Sequence, residues 1–142
     1  ALEGLNEPFL VLSPPIESSM EDGLLTMSEI MSLDTSADLV ILSACNTASG
    51  DEAGSEGFSG LTKSFFISGS KSVLVSNWYV ETYSAKEIVI NLFKNLKNDS
   101  NLTISNALNT TMLNMLNNQK DRSHPMFWAP FVLVGQNKKL SF

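Results

Sequence analysis

A four-residue apolar run, residues 39–42, lies between polar residues and is too short to be a buried helix. Branched side chains in so short a run are typical of a strand covered on both faces, as in a parallel sheet. The run gives way to small and polar residues, where Cys45 is the one cysteine of the chain. Because open α/β sheets bind ligands at the carboxyl ends of strands, Cys45 is a candidate site residue, although a free cysteine is more often simply buried.

Two further short apolar runs, residues 72–76 and 129–134, predict two more interior strands. Apolar residues at helical spacing predict helices over residues 58–68, after a cap at residue 82 or 84, and over residues 102–117. In the last helix the apolar row is predicted to be residues 104, 108, 112 and 116. Strands that alternate with helices predict an α/β layer with a mainly parallel sheet.

The beginning of the chain predicts a smaller, local arrangement. The apolar run at residues 9–13 stops at two prolines, and residues 24–25 are expected to pair with residues 9–12 as a hairpin. Thr26 and Glu29 have the spacing of a capping box, which predicts a helix that ends at about Leu33.

Composition excludes several classes of function. The net charge of −6 argues against a nucleic acid partner, which would require a basic face. No apolar run approaches the ~18–20 residues that span a bilayer, so no membrane partner is expected. Residues 50–57 predict an acidic loop without the lysine of a phosphate-binding loop, so no cofactor is expected. The 142 residues suit a single domain, and one cysteine allows no internal disulfide, which permits a cytoplasmic setting.

Three segments together resemble one family. They are Ser-Ala-Cys-Asn-Thr-Ala-Ser-Gly around Cys45, the stretch from Glu56 to Trp78, and His-Pro-Met-Phe-Trp-Ala-Pro-Phe-Val-Leu-Val-Gly from His124. In this order they resemble the second half of a CHAT domain, a caspase-like cysteine peptidase domain often fused to tetratricopeptide repeats. The resemblance implies a caspase-like three-layer fold, of which residues 1–142 would be the C-terminal part with few strands.

The resemblance also implies roles for individual residues. In the Ser-Ala-Cys-x-Thr pattern of the family the cysteine is the nucleophile, which falls on Cys45. The family's partner histidine belongs to a His-Gly pair that is expected upstream of Ala1, so the chain as given is expected to be inactive. Ser76, Asn77 and Trp78 would line the substrate channel, and the Cys45 amide would help to form the oxyanion hole.

Two further residues carry expectations of their own. Asp51, with its acidic neighbours in residues 50–57, would favour a basic side chain before the scissile bond. His124, the one histidine, precedes Pro125 and the last strand. In a parallel sheet that position lies at the amino ends of the strands, away from Cys45, so His124 is expected to be structural rather than a catalytic base.

Three functions remain open from the sequence. The first is a caspase-like cysteine endopeptidase with a protein or peptide substrate, a tetratricopeptide repeat region in its parent chain and a bacterial, cytoplasmic setting. The second is a catalytically silent signalling or scaffold module with the same fold, and the third is an unrelated small-molecule α/β domain. A His-Gly pair upstream of Ala1 would favour the enzyme. If the upstream strands are absent, one edge of the strand before Cys45 is unpaired, and the chain is expected to self-associate or to cover that edge with its own N-terminal residues.

Overall fold

The computed structural model of the chain describes residues 7–13, 22–43 and 54–142, with side chains described from residue 60 onward in the last range. These residues form five strands in two sheets, four α-helices and two short 3-10 turns. The chain is therefore a mixed α/β chain, as predicted. Among the helices of the described ranges, none is both long and apolar enough to cross a membrane.

The first of two compact units is drawn from residues 1–37 and 46–70. Strands β1 (Phe9–Val11) and β2 (Leu24–Thr26) pair antiparallel, which confirms the predicted hairpin. Helix α1 (Met27–Ser32) follows β2 directly. It starts with the predicted capping box, because the Thr26 hydroxyl accepts from the Glu29 amide while the Glu29 carboxylate accepts from the Thr26 amide.

Helix α2 (Gly54–Ile67) belongs to the same unit and begins earlier than predicted. The expectation of a loop over residues 50–57 is wrong for residues 54–57, since a nucleated helix extends by another turn at little cost. Residues 50–53 lie outside the described residues. The helix ends just before Gly69, as predicted, and Gly69 has the positive φ of 102° that glycine adopts without strain.

The second unit, residues 38–45 and 71–142, contains the larger sheet. Its strands lie in the order β3 (Val40–Leu42), β4 (Ser72–Ser76), β5 (Phe131–Gly135). All three predicted strands are thus present, but only β4 is buried along its whole length, and the prediction of a buried strand is wrong for β5, which is largely exposed. β3 and β4 are parallel, but β4 and β5 are antiparallel, so the sheet is mixed and the predicted mainly parallel sheet is not confirmed.

Two successive helices explain the direction of β5. Helix α3 (Thr82–Asn98) leaves the carboxyl end of β4, and α4 (Ile104–Asn118) follows after a short connection. One helix would return the chain to the amino end of β4, whereas a second helix takes it back to the carboxyl end. Phe131 therefore pairs with Ser76 at the start of β5. The Ile104 amide donates to the Lys138 carbonyl oxygen at 2.9 Å, which places the start of α4 beside the chain that leaves β5.

Both helices pack on the sheet through one apolar face. The core of this unit is formed by buried apolar side chains from β4, β5, α3, α4 and the connection between β4 and α3: Leu74, Val80, Ile88, Leu92, Leu96, Ala107, Leu108, Met115 and Phe131. The predicted apolar row of α4 is wrong at Leu116, which is 41% exposed. A row at four-residue spacing drifts around a helix of 3.6 residues per turn, so Met115 rather than Leu116 enters the core.

Helix α3 begins differently from the prediction. Its N-cap is Glu81, not Thr82 or Ser84. Ser84 is fully buried, and its hydroxyl donates to the Glu81 carboxylate at 3.0 Å. Ser84, one of the two predicted cap residues, thus lies in the first turn of the helix. There its hydroxyl orients the Glu81 side chain, which precedes the helix.

Candidate functional site

The described part of the candidate site is the carboxyl end of β4. Cys45 and Asp51, two of the predicted site residues, lie outside the described residues, and their roles stay predictions. Ser76, Asn77 and Trp78 follow one another at this end of the strand. Ser76 is buried within the sheet, whereas Asn77 and Trp78 are exposed, with 48% of Trp78 accessible. The exposed end of β4 is therefore formed by Asn77 and Trp78.

The segment that enters β5 lies directly against this strand end. The Asn77 amide donates to the Pro130 carbonyl oxygen at 2.9 Å. The Trp78 indole N–H donates to the Met126 carbonyl oxygen at 3.3 Å. Residues 123–130 therefore pass the carboxyl end of β4 and not its amino end.

This arrangement corrects the expected position of His124. His124 lies two residues before Met126 and so belongs to the carboxyl edge of the sheet, the edge at which β3 also ends. The expectation that His124 lies at the amino ends of the strands is wrong, because it assumed that the last strand is parallel to the others. The residue types of a strand do not encode its direction, which depends here on the even number of helices after β4.

The hydrogen bond at the His124 ring decides what this side chain can offer. Nδ1 accepts the Met126 amide at 3.2 Å and so starts the 3-10 turn Pro125–Phe127. A neutral imidazole has one N–H, so with Nδ1 as acceptor the proton is on Nε2. The side chain is exposed, and Nε2 has no protein partner within the described part of the chain. His124 therefore offers a hydrogen-bond donor and not the free lone pair of a base.

An ion pair fixes the segment before His124, and sequence patterns did not reveal it. Arg122 ends the 3-10 turn Lys120–Arg122, and its Nε and Nη2 lie 3.3 and 3.4 Å from the two carboxylate oxygens of Glu81. Its guanidinium also lies over the Tyr83 ring, 4.2 Å from the ring centre. Hydrogen bonds from Arg122 first, and then from Ser84, lower the pKa of Glu81. No local motif links two residues 41 positions apart.

Apolar side chains dominate the rest of this edge. Trp78, Tyr79 and Met126 are each about half exposed or more. We call Asn77, Trp78, Tyr79, His124 and Met126 the strand-end surface. Exposed aromatic and thioether groups beside hydrogen-bonding side chains make this surface the candidate binding surface among the described residues. Among the residues the structure describes, no three His, Cys, Asp or Glu side chains come together as metal ligands.

Comparison with known proteins gives the same family as the three sequence segments around Cys45, from Glu56 to Trp78 and from His124. The CHAT domain family model matches residues 2–136. Two curated relatives are both named Tetratricopeptide repeat protein 28. The protein of Mus musculus is 34% identical over 118 residues, 83% of this chain, and that of Homo sapiens is 31% identical over 122 residues, 86% of this chain. No solved structure matches the chain.

The relatives are much longer than the matched region. This chain spans only 5% of the length of each of them. Their names fit the expected association with tetratricopeptide repeats, whereas their mammalian source gives no support to the expected bacterial origin. Because the family match covers almost the whole chain, from residue 2 to residue 136, the chain belongs to the CHAT domain family.

Proposed function

We propose that the chain is the C-terminal, cysteine-bearing part of a caspase-like cysteine endopeptidase domain, with Cys45 as the nucleophile. The observation that carries the proposal is the CHAT family match, which spans the Ser-Ala-Cys-x-Thr segment. The parent protein would act on a protein or peptide substrate and contain a tetratricopeptide repeat region, as the names of the relatives suggest. It would work in the cytoplasm, where a lone thiol stays reduced.

The chemistry requires a base that this chain does not supply through His124. An ordinary thiol has a pKa of about 8.5, so a neighbouring base or imidazolium must provide the thiolate. His124 has Nδ1 occupied by the Met126 amide and its proton on Nε2, so it is unsuited to that task. The base is instead expected from a His-Gly pair in the parent protein, upstream of Ala1.

The thiolate of Cys45 would then attack the scissile carbonyl carbon and push the bonding electrons onto the oxygen. The Cys45 amide would donate to that oxyanion. The imidazolium of the partner histidine would protonate the leaving amine, and the resulting thioester would be hydrolysed by water. Asn77 and Trp78 would contact the peptide on either side of the scissile bond, with Ser76 supporting them from within β4.

Specificity for a basic residue before the scissile bond remains part of the proposal. Asp51, Glu52 and Glu56 follow Cys45 closely in the chain and would complement a lysine or arginine side chain. Cleavage of a peptide library by the parent protein should therefore favour these two residues. A preference for aspartate or for an apolar residue at that position would contradict this part of the proposal.

The proposal is tested by cleavage of a mixed peptide pool by the full-length parent protein, with its Cys45→Ala variant as control. Cleavage that disappears in the control would support the enzyme. The isolated chain should be inactive, because loss of a general base typically costs about 10²–10⁴-fold. Absence of cleavage by the full-length protein would favour the catalytically silent signalling or scaffold module.

A further inference from the structure

We propose that His124 is a substrate-binding residue whose Nε2–H donates a hydrogen bond to a backbone carbonyl of an extended peptide that lies over Trp78. The inference rests on the proposed function and assigns part of its substrate site. It starts from the antiparallel direction of β5, which brings His124 to the same sheet edge as Asn77 and Trp78.

The direction of the hydrogen bond follows from the ring itself. Because Nδ1 already accepts the Met126 amide, Nε2 carries the proton of the neutral imidazole. The exposed ring therefore points a donor toward solvent. A peptide carbonyl is a neutral acceptor that suits such a donor and occurs once in every residue of a substrate.

The surroundings of His124 favour a neutral, apolar ligand over an anion. Trp78 uses its single polar atom to donate to the Met126 carbonyl, so only its ring surface is left for a ligand. None of the five residues of the strand-end surface has a permanent charge. The nearby charges of Arg122 and Glu81 compensate each other. An extended peptide fits these properties, with an apolar side chain on Trp78 and Met126 and a backbone carbonyl at His124.

The position of the donor is fixed before any peptide arrives. Arg122 is held by the two oxygens of Glu81 and by the Tyr83 ring, and Met126 is held by Trp78. His124 lies between these two anchored residues. A donor held in place in this way loses little conformational freedom on binding.

Two substitutions separate the structural role of the ring from its binding role. H124N keeps an acceptor near the position of Nδ1, and asparagine suits the start of a helical turn, but the distal donor is lost. H124Q places an amide N–H near the position of Nε2 and loses the acceptor for the Met126 amide. A merely structural histidine should therefore be replaced better by asparagine, and a binding histidine better by glutamine.

The test uses the full-length parent protein with Cys45→Ala, so that bound peptides are not cleaved. A random pool of acetylated, amidated hexapeptides is passed over the immobilised protein, and affinities for retained peptides are then measured by calorimetry. We expect H124N to weaken binding by about threefold to tenfold, the value of one neutral hydrogen bond, with an unchanged melting temperature. We expect H124Q to bind nearly as the parent does and to melt at a lower temperature.

Several outcomes would overturn the inference. The first is that no peptide is retained, and the second is that H124N binds peptides with unchanged affinity. The third is measured in the full-length protein with Cys45 intact: if both variants lose kcat at unchanged KM, His124 acts as a base. If peptides bind through His124 but the intact parent cleaves none of them, the proposed function fails and this inference stands. If the parent cleaves peptides and H124N cleaves them with the same KM, the inference fails and the proposed function stands.

Discussion

Asp38 joins three parts of the second unit at the amino end of the larger sheet. One of its carboxylate oxygens accepts from the Lys71 ammonium at 2.9 Å and also from Lys138. Lys71 precedes β4, and Lys138 follows β5, so the carboxylate connects both strands to β3. Hydrogen bonds from Lys138 and then from Lys71 lower the pKa of Asp38 from 3.8 to about 2.

Replacement of Asp38 should destabilise the chain in a pH-dependent way. Because its pKa is lowered in the folded state, its stabilising effect is complete well above 3.8 and is lost as the pH falls through about 2. Asp38→Asn should therefore lower the melting temperature at pH 7. The difference in melting temperature between this variant and the unsubstituted chain should shrink between pH 4 and pH 2. Thermal melts over this range check the expectation.

The control is Asp121→Asn, an exposed aspartate without an ion pair among the described residues. High salt should reduce the Asp38 effect, because the cluster is partly exposed. An Asp38 effect that stays the same at pH 2 would contradict the ion-pair explanation. The sequence could not predict this cluster, since Asp38 and Lys138 are 100 positions apart and local patterns say nothing about such a pair.

Between helices, a polar contact crosses the apolar interface of α3 and α4. The Asn95 amide nitrogen donates to the Thr111 hydroxyl at 3.0 Å, and that hydroxyl donates to the Ala107 carbonyl oxygen at 2.9 Å. Thr111 is 1% exposed. Thr111→Val should cost about 1–3 kcal/mol of unfolding free energy. The Asn95 amide would lose its shorter hydrogen bond and keep only the one to the Ala107 carbonyl oxygen at 3.5 Å.

Thr110→Val is the matched control, because Thr110 makes the same bond to the carbonyl four residues earlier but is exposed. It should change stability little. Denaturant unfolding of Asn95→Ala, Thr111→Val and the double variant should show a smaller combined loss than the sum of the single losses. Additive losses would contradict a direct interaction between the two side chains.

The ion pair of Glu81 and Arg122 holds the chain between α4 and β5 at the start of α3. Arg122→Lys keeps the charge but loses the two-pronged contact and the stacking on Tyr83. We expect faster hydrogen exchange in the amides of residues 119–128, measured by mass spectrometry. Lys120→Arg, a charge-conserving change in the same turn, should leave exchange unchanged. Equal exchange rates in Arg122→Lys and in the unsubstituted chain would show that residues 119–128 are held by other contacts.

At this scale the sequence predicted most helices and strands but not their directions. Apolar spacing located β4, α2 and α4, because burial of one face follows directly from residue type. The start of α3 at Glu81 and the exposure of Leu116 depend on tertiary contacts and on helical drift. The direction of β5 determines the sheet edge at which His124 lies. It could not be predicted without knowing that two helices connect β4 to β5.

For the whole chain, the edge of β3 is the feature with consequences for assembly. Within the described residues β3 pairs with β4 alone, so its other edge has no partner there. Unpaired strand edges favour pairing with further strands. The isolated chain is therefore expected to self-associate, with an apparent mass that rises with concentration in light scattering.

Val40→Lys should reduce this association, because a charged side chain on an edge strand opposes pairing. Leu113→Lys, at an exposed apolar residue of α4 and not on a strand edge, is the comparison and should have a smaller effect. A monodisperse monomer at all concentrations would contradict the expectation. Equal effects of the two substitutions would instead assign association to a general apolar attraction.

The family of the whole chain could be recognised from three short segments, and the family model confirms it over residues 2–136. The position of Cys45 relative to a base stays a prediction, because Cys45 lies outside the described residues. That residues 1–142 form part of one domain remains a prediction.

The antiparallel return of β5 also determines when the strand-end surface can exist during synthesis. β4 and β5 are neighbours in the sheet, but residues 77–130 separate them in the chain. Closing so long a loop is slow compared with forming the helices inside it. A nascent chain that has emerged only as far as α4 already has Trp78 but lacks the segment that holds its indole. We therefore expect the strand-end surface to be complete only after β5 has left the ribosome.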